Sequence, residues 1–152
     1  TQLSRSCLFL AGAERNMADR AFDSTRPDGI LSARELADMD LSGVDLAVLS
    51  ACMSGLGYVT PDGVFGLQRG LKAAGVGALV TSLWEVDDQA TALLMRYLFE
   101  GLGEGKALRT AFDDARRRLR ETVITKRYHG FVRKRTFDAP YYYNAFILSD
   151  SL

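Results

Sequence analysis

The sequence predicts an α/β sandwich in which helices cover both faces of a largely parallel sheet. Apolar runs of strand length alternate along the chain with segments whose apolar residues recur at helical spacing. The chain has 152 residues, which is enough for one domain core but not for two independent ones. Hydrophobic residues make up 47% and charged residues 25%, values typical of soluble globular proteins, which disfavours disorder and coiled coil.

The N-terminal third predicts a strand, a loop and a short helix. The apolar run 6–12 ends in glycine, which is typical of a strand buried on both faces. Residues 13–27 show no sustained period and predict a surface loop. Ser32 and Glu35 have the spacing of a capping box, in which each side chain binds a backbone amide at a helix start. A short helix through Met39 is expected to follow.

The middle of the chain predicts two more strands around an amphipathic helix. The apolar strand 45–51 runs directly into Cys52 and a glycine-rich segment. From Gly63 onward, apolar residues at spacings of three and four predict a helix that ends at Gly75. The apolar run 78–84 predicts the third strand.

The C-terminal part predicts two consecutive helices and a closing strand. Apolar spacing predicts helices over 90–98 and 108–119, separated by a glycine turn at 101–105. The stretch 126–135 is basic, and the aromatic run 141–148 predicts a strand.

Charge is unevenly distributed along the chain. Positions 1–108 hold nine basic and fourteen acidic residues, a net charge of −5, whereas positions 109–152 hold ten basic and five acidic residues, a net charge of +5.

Composition narrows the chemistry that the chain can perform. Two cysteines, Cys7 and Cys52, cannot form a disulfide framework or a cysteine-based zinc site, and His129 is the only histidine, so neither a metal nor a cofactor is expected. His129 lies among basic residues in a predicted loop, which favours a solvated role. No apolar run is long enough to span a membrane and no signal peptide is visible, so a reducing, cytoplasmic location is expected.

Cys52 is the residue best placed for chemistry. Reactions in open parallel sheets collect at the carboxyl ends of strands, and Cys52 follows such an end. Amides of a following glycine-rich loop would favour a thiolate and stabilise an oxyanion on a substrate. The alternative is a buried structural cysteine. Gly55, Gly57, Gly63 and Gly66 match neither the dinucleotide fingerprint nor the phosphate-loop pattern.

Several segments resemble those of CHAT domains and follow each other in the order found in that family. CHAT domains are caspase-like domains that are often attached to tetratricopeptide repeats. The matching segments lie at 4–12, 28–32, 46–57, 63–67, 73–76, 82–91, 107–111 and 140–146. The resemblance implies a caspase-like three-layer sandwich, of which residues 1–152 form a partial domain that lacks the N-terminal strands. It also implies a cysteine endopeptidase with a histidine-cysteine dyad, in which Cys52 takes the nucleophile's position. Met53 departs from the family, because many relatives carry an acidic residue there.

The family's histidine lies in a His-Gly motif on a strand that would precede Thr1, so the N-terminal part of the same protein is expected to supply it. His129 matches no catalytic position of the family. A truncated chain, a second chain and an inactive relative are three explanations for the missing histidine. Because Thr1 is not a start methionine, truncation is favoured, and this chain alone is expected to be inactive.

The resemblance also implies where a protein or peptide substrate binds. Caspase-like enzymes bind substrate as an added strand beside the segment that matches Ser82, Leu83 and Trp84 here. Trp84 would form a pocket wall, or else serve as a core aromatic. Asp87 and Asp88 would select a basic residue before the scissile bond, although helix capping is the simpler and favoured account.

Two other functions remain open at this point. The first is a CHAT-like module that binds partners while Cys52 stays idle. The second is nucleic-acid binding through the basic residues of the C-terminal part, which no recognised fold signature supports. A solvated helix face, or a docking surface for an acidic partner domain, is the favoured role for these residues, which are Arg116, Arg117, Arg118, Arg120 and the stretch 126–135.

Overall fold

The computed structural model describes residues 6–11, 13–14, 28–50, 61–128 and 130–150. The chain divides into two compact units. Of the described residues, the first unit comprises 6–11, 13–14, 28–47 and 61–79, and the second comprises 48–50, 80–128 and 130–150. No helix in the described ranges is both long and apolar enough to cross a membrane.

Short strands and longer helices alternate along much of the chain. The strands are β1 (Cys7–Phe9), β2 (Ile30–Ser32), β3 (Leu46–Leu49), β4 (Ala78–Ser82), β5 (Val123–Tyr128), β6 (Phe131–Thr136) and β7 (Phe146–Asp150). The helices are α1 (Ala33–Ala37), α2 (Pro61–Ala73), α3 (Asp88–Gly103), α4 (Leu108–Glu121) and α5 (Pro140–Tyr143).

In the first unit, a strand pair leads into two packed helices. β1 and β2 are antiparallel, with Cys7 opposite Ser32. Ser32 also caps α1, because its hydroxyl accepts a hydrogen bond from the Glu35 amide and the Glu35 carboxylate accepts one from the Ser32 amide. The predicted capping box is therefore confirmed. Helices α1 and α2 pack together at Gly70, where a Cβ atom would lie 2.5 Å from the Ala33 carbonyl oxygen.

The end of α2 follows the prediction for Gly75. This residue has a φ of +97°, in the left-handed region that side chains disfavour. A Cβ atom there would also lie 3.1 Å from the Ser42 Cα atom. The helix itself ends at Ala73, two residues earlier.

In the second unit, α3 and α4 pack against each other through apolar faces. Leu94 and Leu98 of α3 are fully buried, as is Leu119 of α4, and Phe112 of α4 is buried beside them. The Tyr97 hydroxyl lies 2.9 Å from the hydroxyl oxygen of Thr122, just past the end of α4. The two helices predicted for this part of the sequence are confirmed, with somewhat longer bounds.

The strands form one three-stranded sheet and two antiparallel pairs. The three-stranded sheet has the order β3-β4-β7, and all five residues of β4 are buried. The observed architecture is therefore mixed α/β, as predicted. The prediction of a largely parallel sheet is wrong for β1, β2, β5 and β6, whose pairings are antiparallel. Two residues separate β5 from β6, a connection too short for any parallel crossover.

Two further segments differ from the prediction. The basic stretch forms the hairpin of β5 and β6, with Lys126 opposite Arg133. The aromatic run does not begin a strand, because Pro140 starts the short helix α5 and β7 begins only at Phe146. Proline has its backbone dihedral fixed near the helical value and is favoured at the first position of a helix.

Candidate functional site

The site predicted from the sequence centres on Cys52, which lies outside the described residues. The strand that leads to it is β3, and this strand ends at Leu49, three residues before the cysteine. Cys7 is described and half-buried on β1, so the prediction of a strand buried on both faces is wrong at this residue. Its strand is paired along one edge by β2, a partner that the sequence did not predict. No group of three or more metal-binding side chains occurs in the described ranges.

The end of β4 and the segment that follows it contain five of the predicted site residues. Ser82 is the last residue of the strand and only 5% exposed. The backbone then bends at Leu83 and Trp84, so the predicted strand stops two residues early. The Leu83 amide donates a 2.8 Å hydrogen bond to the carbonyl oxygen of Ala145. Since that amide is already bonded within the chain, it is not available to a substrate strand.

Trp84 is a surface aromatic held in a fixed orientation. Its side chain is 37% exposed, which excludes the predicted alternative of a core aromatic. The indole ring stacks on the Tyr141 ring, with 6.2 Å between ring centroids and 20° between planes. The indole N–H donates a 3.2 Å hydrogen bond to the Tyr141 carbonyl oxygen. The Tyr141 hydroxyl in turn donates a 2.7 Å hydrogen bond to the Glu85 carbonyl oxygen.

Asp87 carries out two structural tasks at the start of α3. One carboxylate oxygen accepts a 2.9 Å hydrogen bond from the Ala90 amide, so Asp87 is the N-cap. The other oxygen lies 2.5 Å from a guanidinium nitrogen of Arg135 on β6. Partial burial by itself raises the pKa of Asp87, but the bonds from Ala90 and Arg135 outweigh burial and hold that pKa below its ordinary value of 3.8. The capping interpretation of Asp87 is confirmed.

Asp88 does not join this cluster. It is the first residue of α3 and its side chain is exposed, where a negative charge suits the positive end of the helix dipole. The structure therefore ties Trp84 and Asp87 to later parts of the chain, through Tyr141 and Arg135. Asp88 instead faces the solvent.

Two residues that hold the segment after β4 are not predicted from the sequence, which places Tyr141 in a strand and Arg135 in a basic stretch. Both lie more than forty residues along the chain from their partners, with separations of 57 and 48 positions for the Trp84 and Asp87 contacts. No local pattern signals such contacts.

The arginines of α4 are largely engaged within the chain. Arg116 donates to the Tyr143 carbonyl oxygen at 2.9 Å and to the Asn144 side chain, which joins α4 to the end of α5. Arg117 pairs with Asp114 and Glu121 on its own helix. Arg118 pairs with Glu100 at 2.8 Å and lies 4.0 Å from the centre of the Tyr97 ring. These contacts argue against a nucleic-acid surface on this helix.

Comparison with known proteins identifies the family. The family model described as CHAT domain matches residues 1–151, which is nearly the whole chain. The chain belongs to the CHAT family. No solved structure matches this CHAT domain.

Two relatives of this CHAT domain are named for tetratricopeptide repeats. Tetratricopeptide repeat protein 28 of Mus musculus is 36% identical over 76 residues, which cover 50% of this chain and 3% of the relative. Tetratricopeptide repeat protein 28 of Homo sapiens is 31% identical over 86 residues, which cover 57% of this chain and 3% of the relative. The chain thus spans a small fraction of these relatives, and the predicted association of CHAT domains with tetratricopeptide repeats is supported.

Proposed function

We propose that this CHAT domain is the nucleophile-bearing part of a cysteine endopeptidase. In the proposed mechanism, the Cys52 thiolate attacks the scissile carbonyl carbon and forms a tetrahedral intermediate. Backbone amides at Cys52 and near a His-Gly motif hold the oxyanion, and the histidine protonates the leaving amine. Water then hydrolyses the thioester and releases the acid product. The histidine belongs to the N-terminal part of the same protein, ahead of Thr1.

Family membership across residues 1–151 is the observation that carries this proposal. The strand order adds support, because β4 is the neighbour of β3, the strand that leads toward Cys52. Carboxyl ends of neighbouring strands are where α/β sheets bind substrates. The segment Ser82 to Trp84 lies at the end of β4 and would bind the peptide substrate through its exposed side chains, Leu83 and Trp84, because Ser82 is buried and the Leu83 amide is bonded to Ala145.

Trp84 is proposed as a wall of the substrate pocket. Its exposed face is free to contact an apolar or aromatic side chain of the peptide, while Tyr141 fixes the other face. A rigid aromatic side chain contributes contact area at little cost in conformational entropy. Asp87 is not proposed as a specificity residue, because Arg135 already neutralises its carboxylate.

Peptide cleavage by the full-length protein tests the function. The unmodified protein and the Cys7→Ser variant are expected to cleave a peptide library at similar rates. The Cys52→Ala variant is expected to lose activity by several orders of magnitude, since removing one member of a catalytic dyad typically has that effect. Cleavage by the Cys52→Ala variant at the rate of the unmodified protein would refute the peptidase proposal.

The second candidate is a non-catalytic CHAT module that binds protein partners. The name of the two relatives, with its tetratricopeptide repeats, favours this candidate as much as a regulated peptidase. The same cleavage experiment separates the two, because a binding module shows no Cys52-dependent turnover with the full-length protein.

A further inference from the structure

The hairpin of β5 and β6 carries positive charge that the described chain does not neutralise. Residues 123–136 contain five basic side chains and no acidic one. All six residues of β6 are exposed. Arg135 pairs with Asp87, whereas no described carboxylate forms an ion pair with the other four. Those four are Lys126, Arg127, Arg133 and Lys134.

The register places like charges directly across the hairpin. Lys126 lies opposite Arg133, and Ile124 lies opposite Arg135 on the same face. Like charges at directly opposite positions of an antiparallel pair destabilise it. A bound anion between Lys126 and Arg133 would replace this repulsion with attraction, so the register itself favours a negatively charged ligand.

A cavity of about 440 Å³ lies against this basic face. Gln89, near the start of α3, forms part of its wall and accepts a 2.9 Å hydrogen bond from Arg135. The volume is within the range of sites that bind small ligands or a few side chains. The remaining lining residues are Ile124, Lys126, Arg133, Lys134 and Arg135.

The backbone of β6 offers an open edge beside the cavity. β5 and β6 form a sheet of two strands only, so within the described chain the outer edge of each strand has no strand partner. Tyr128 and Phe131 flank the two-residue turn and form the first pair of the ladder. A two-residue connection is typical of a hairpin whose closing pair exchanges both backbone hydrogen bonds, and bonded and non-bonded pairs alternate from there. On this register we expect the Val132 and Lys134 amides to point outward. Phe131 and Val132 are 80% and 57% exposed along this edge.

We propose that the hairpin binds an acidic, extended segment of a partner protein, which adds to β6 as a third strand. Carboxylates of the segment bind Lys126 and Arg133 in the cavity, and apolar side chains of the segment contact Phe131 or Val132. An open strand edge selects a peptide over a nucleic acid, because only a peptide backbone completes the hydrogen-bond ladder. Binding here needs no thiol, so it extends beyond the proposed peptidase activity.

Fluorescence anisotropy with defined peptides tests the charge part of this proposal. The probe is a fluorescein-labelled peptide that alternates Glu and Val, and the protein is the full-length chain carrying Cys52→Ala, which prevents cleavage. We expect the Lys126→Glu/Arg133→Glu variant to bind this peptide at least about tenfold more weakly. We also expect the same variant to bind a Lys/Val peptide that the parent protein does not bind, which shows that the variant is folded.

A matched control separates the hairpin from net charge. The Lys72→Glu/Arg120→Glu variant makes the same charge change at exposed positions of α2 and α4, and it is expected to bind the Glu/Val peptide as the parent does. Equal weakening by the control, or equal binding of a Gln/Val peptide, would refute the proposal. Tighter binding of single-stranded oligouridine than of the Glu/Val peptide, lost in the hairpin variant, would refute it in favour of a nucleic-acid surface.

Proline substitutions test the added strand. Val132→Pro removes an outward amide without removing a hydrogen bond of the hairpin. It is expected to weaken binding of the Glu/Val peptide at least about fivefold. Val123→Pro is the control, because it removes an outward amide from the opposite edge, at the first residue of β5. Proline fits there, since the preceding Thr122 already has the extended conformation that a residue before proline requires. Unchanged binding by both variants would contradict strand addition along β6.

Discussion

The guanidinium of Arg135 lies 2.5 Å from the carboxylate of Asp87, so the second strand of the basic hairpin is tied to the first turn of α3. The same carboxylate caps α3 through the Ala90 amide. Arg135 also lies 5.2 Å from the centre of the Phe137 ring, which is fully buried. Asp87 is thereby engaged within the fold, whereas the other four cations of the hairpin form no ion pair with a described carboxylate.

Substitutions at Asp87 are expected to affect stability and leave cleavage preference unchanged. Asp87→Ala removes the cap and the ion pair, which predicts a loss of about 1–2 kcal/mol in the free energy of unfolding. Asp87→Asn keeps a good cap and loses the ion pair, which predicts a loss below about 1 kcal/mol. Asp88→Asn is the matched control and is expected to change little. Denaturant titration and a peptide-library profile of each full-length variant provide the measurements.

A specific loss of cleavage after basic residues by Asp87→Asn, with stability preserved, would overturn the capping account. It would make the aspartate a specificity determinant. The same loss in Asp88→Asn would assign that role to the neighbouring residue.

The ion pair predicts a dependence of stability on pH. Because the folded state holds the pKa of Asp87 below 3.8, its carboxylate contributes stability above that ordinary value and loses the contribution as pH falls through the folded-state pKa. The stability difference between the parent and Asp87→Asn should therefore be full at neutral pH and shrink below about pH 3.8. Thermal melts of both proteins across this range measure it. A difference that grows on acidification would contradict the assignment.

The stacked pair of Trp84 and Tyr141 is expected to position the proposed substrate pocket. Tyr141→Phe removes the hydrogen bond to the Glu85 carbonyl, which predicts a loss of about 0.5–1.5 kcal/mol of stability. We expect a raised KM with a smaller change in kcat, since a loosened Trp84 binds peptide less well. Tyr143→Phe is the control, because its hydroxyl has no described hydrogen bond. Equal effects of the two variants on KM would contradict a positioning role for Tyr141.

Close packing of α1 and α2 predicts intolerance of a side chain at Gly70. Gly70→Ala would force a methyl group to 2.5 Å from the Ala33 carbonyl oxygen, and overpacking of this kind typically destabilises by about 1–3 kcal/mol. Gly103→Ala is the control at the end of α3, where a Cβ atom meets nothing within 4 Å and alanine is expected to be neutral or stabilising. Melting temperatures of the two variants should move in different directions or by clearly different amounts.

Local signals predicted the parts of the fold that local chemistry determines. The capping box of Ser32 and Glu35, the left-handed Gly75 and the cap of Asp87 each depend on residues within a few positions. They were predicted because a hydroxyl, a missing side chain or a carboxylate acts on the adjacent backbone.

Long-range pairing was not predictable in the same way. β5 and β6 contain five basic residues, whose charge masks the alternation of a strand and indicates a solvated stretch instead. The tyrosines at 141–143 have high strand propensity, but Pro140 and the contacts of Tyr141 place them in a helix. The tie between Asp87 and Arg135 spans 48 positions and depends on the folded hairpin.

Active-site labelling of the full-length protein is the most direct test of Cys52 as the catalytic nucleophile. The protein is treated with a peptidyl acyloxymethyl ketone, which alkylates a peptidase thiolate, and its peptides are mapped by mass spectrometry. We expect one modified residue, Cys52, with Cys7 unmodified, and loss of labelling when the histidine of the His-Gly motif is replaced. Equal labelling of Cys7 and Cys52, or labelling of Cys52 that persists without that histidine, would contradict it.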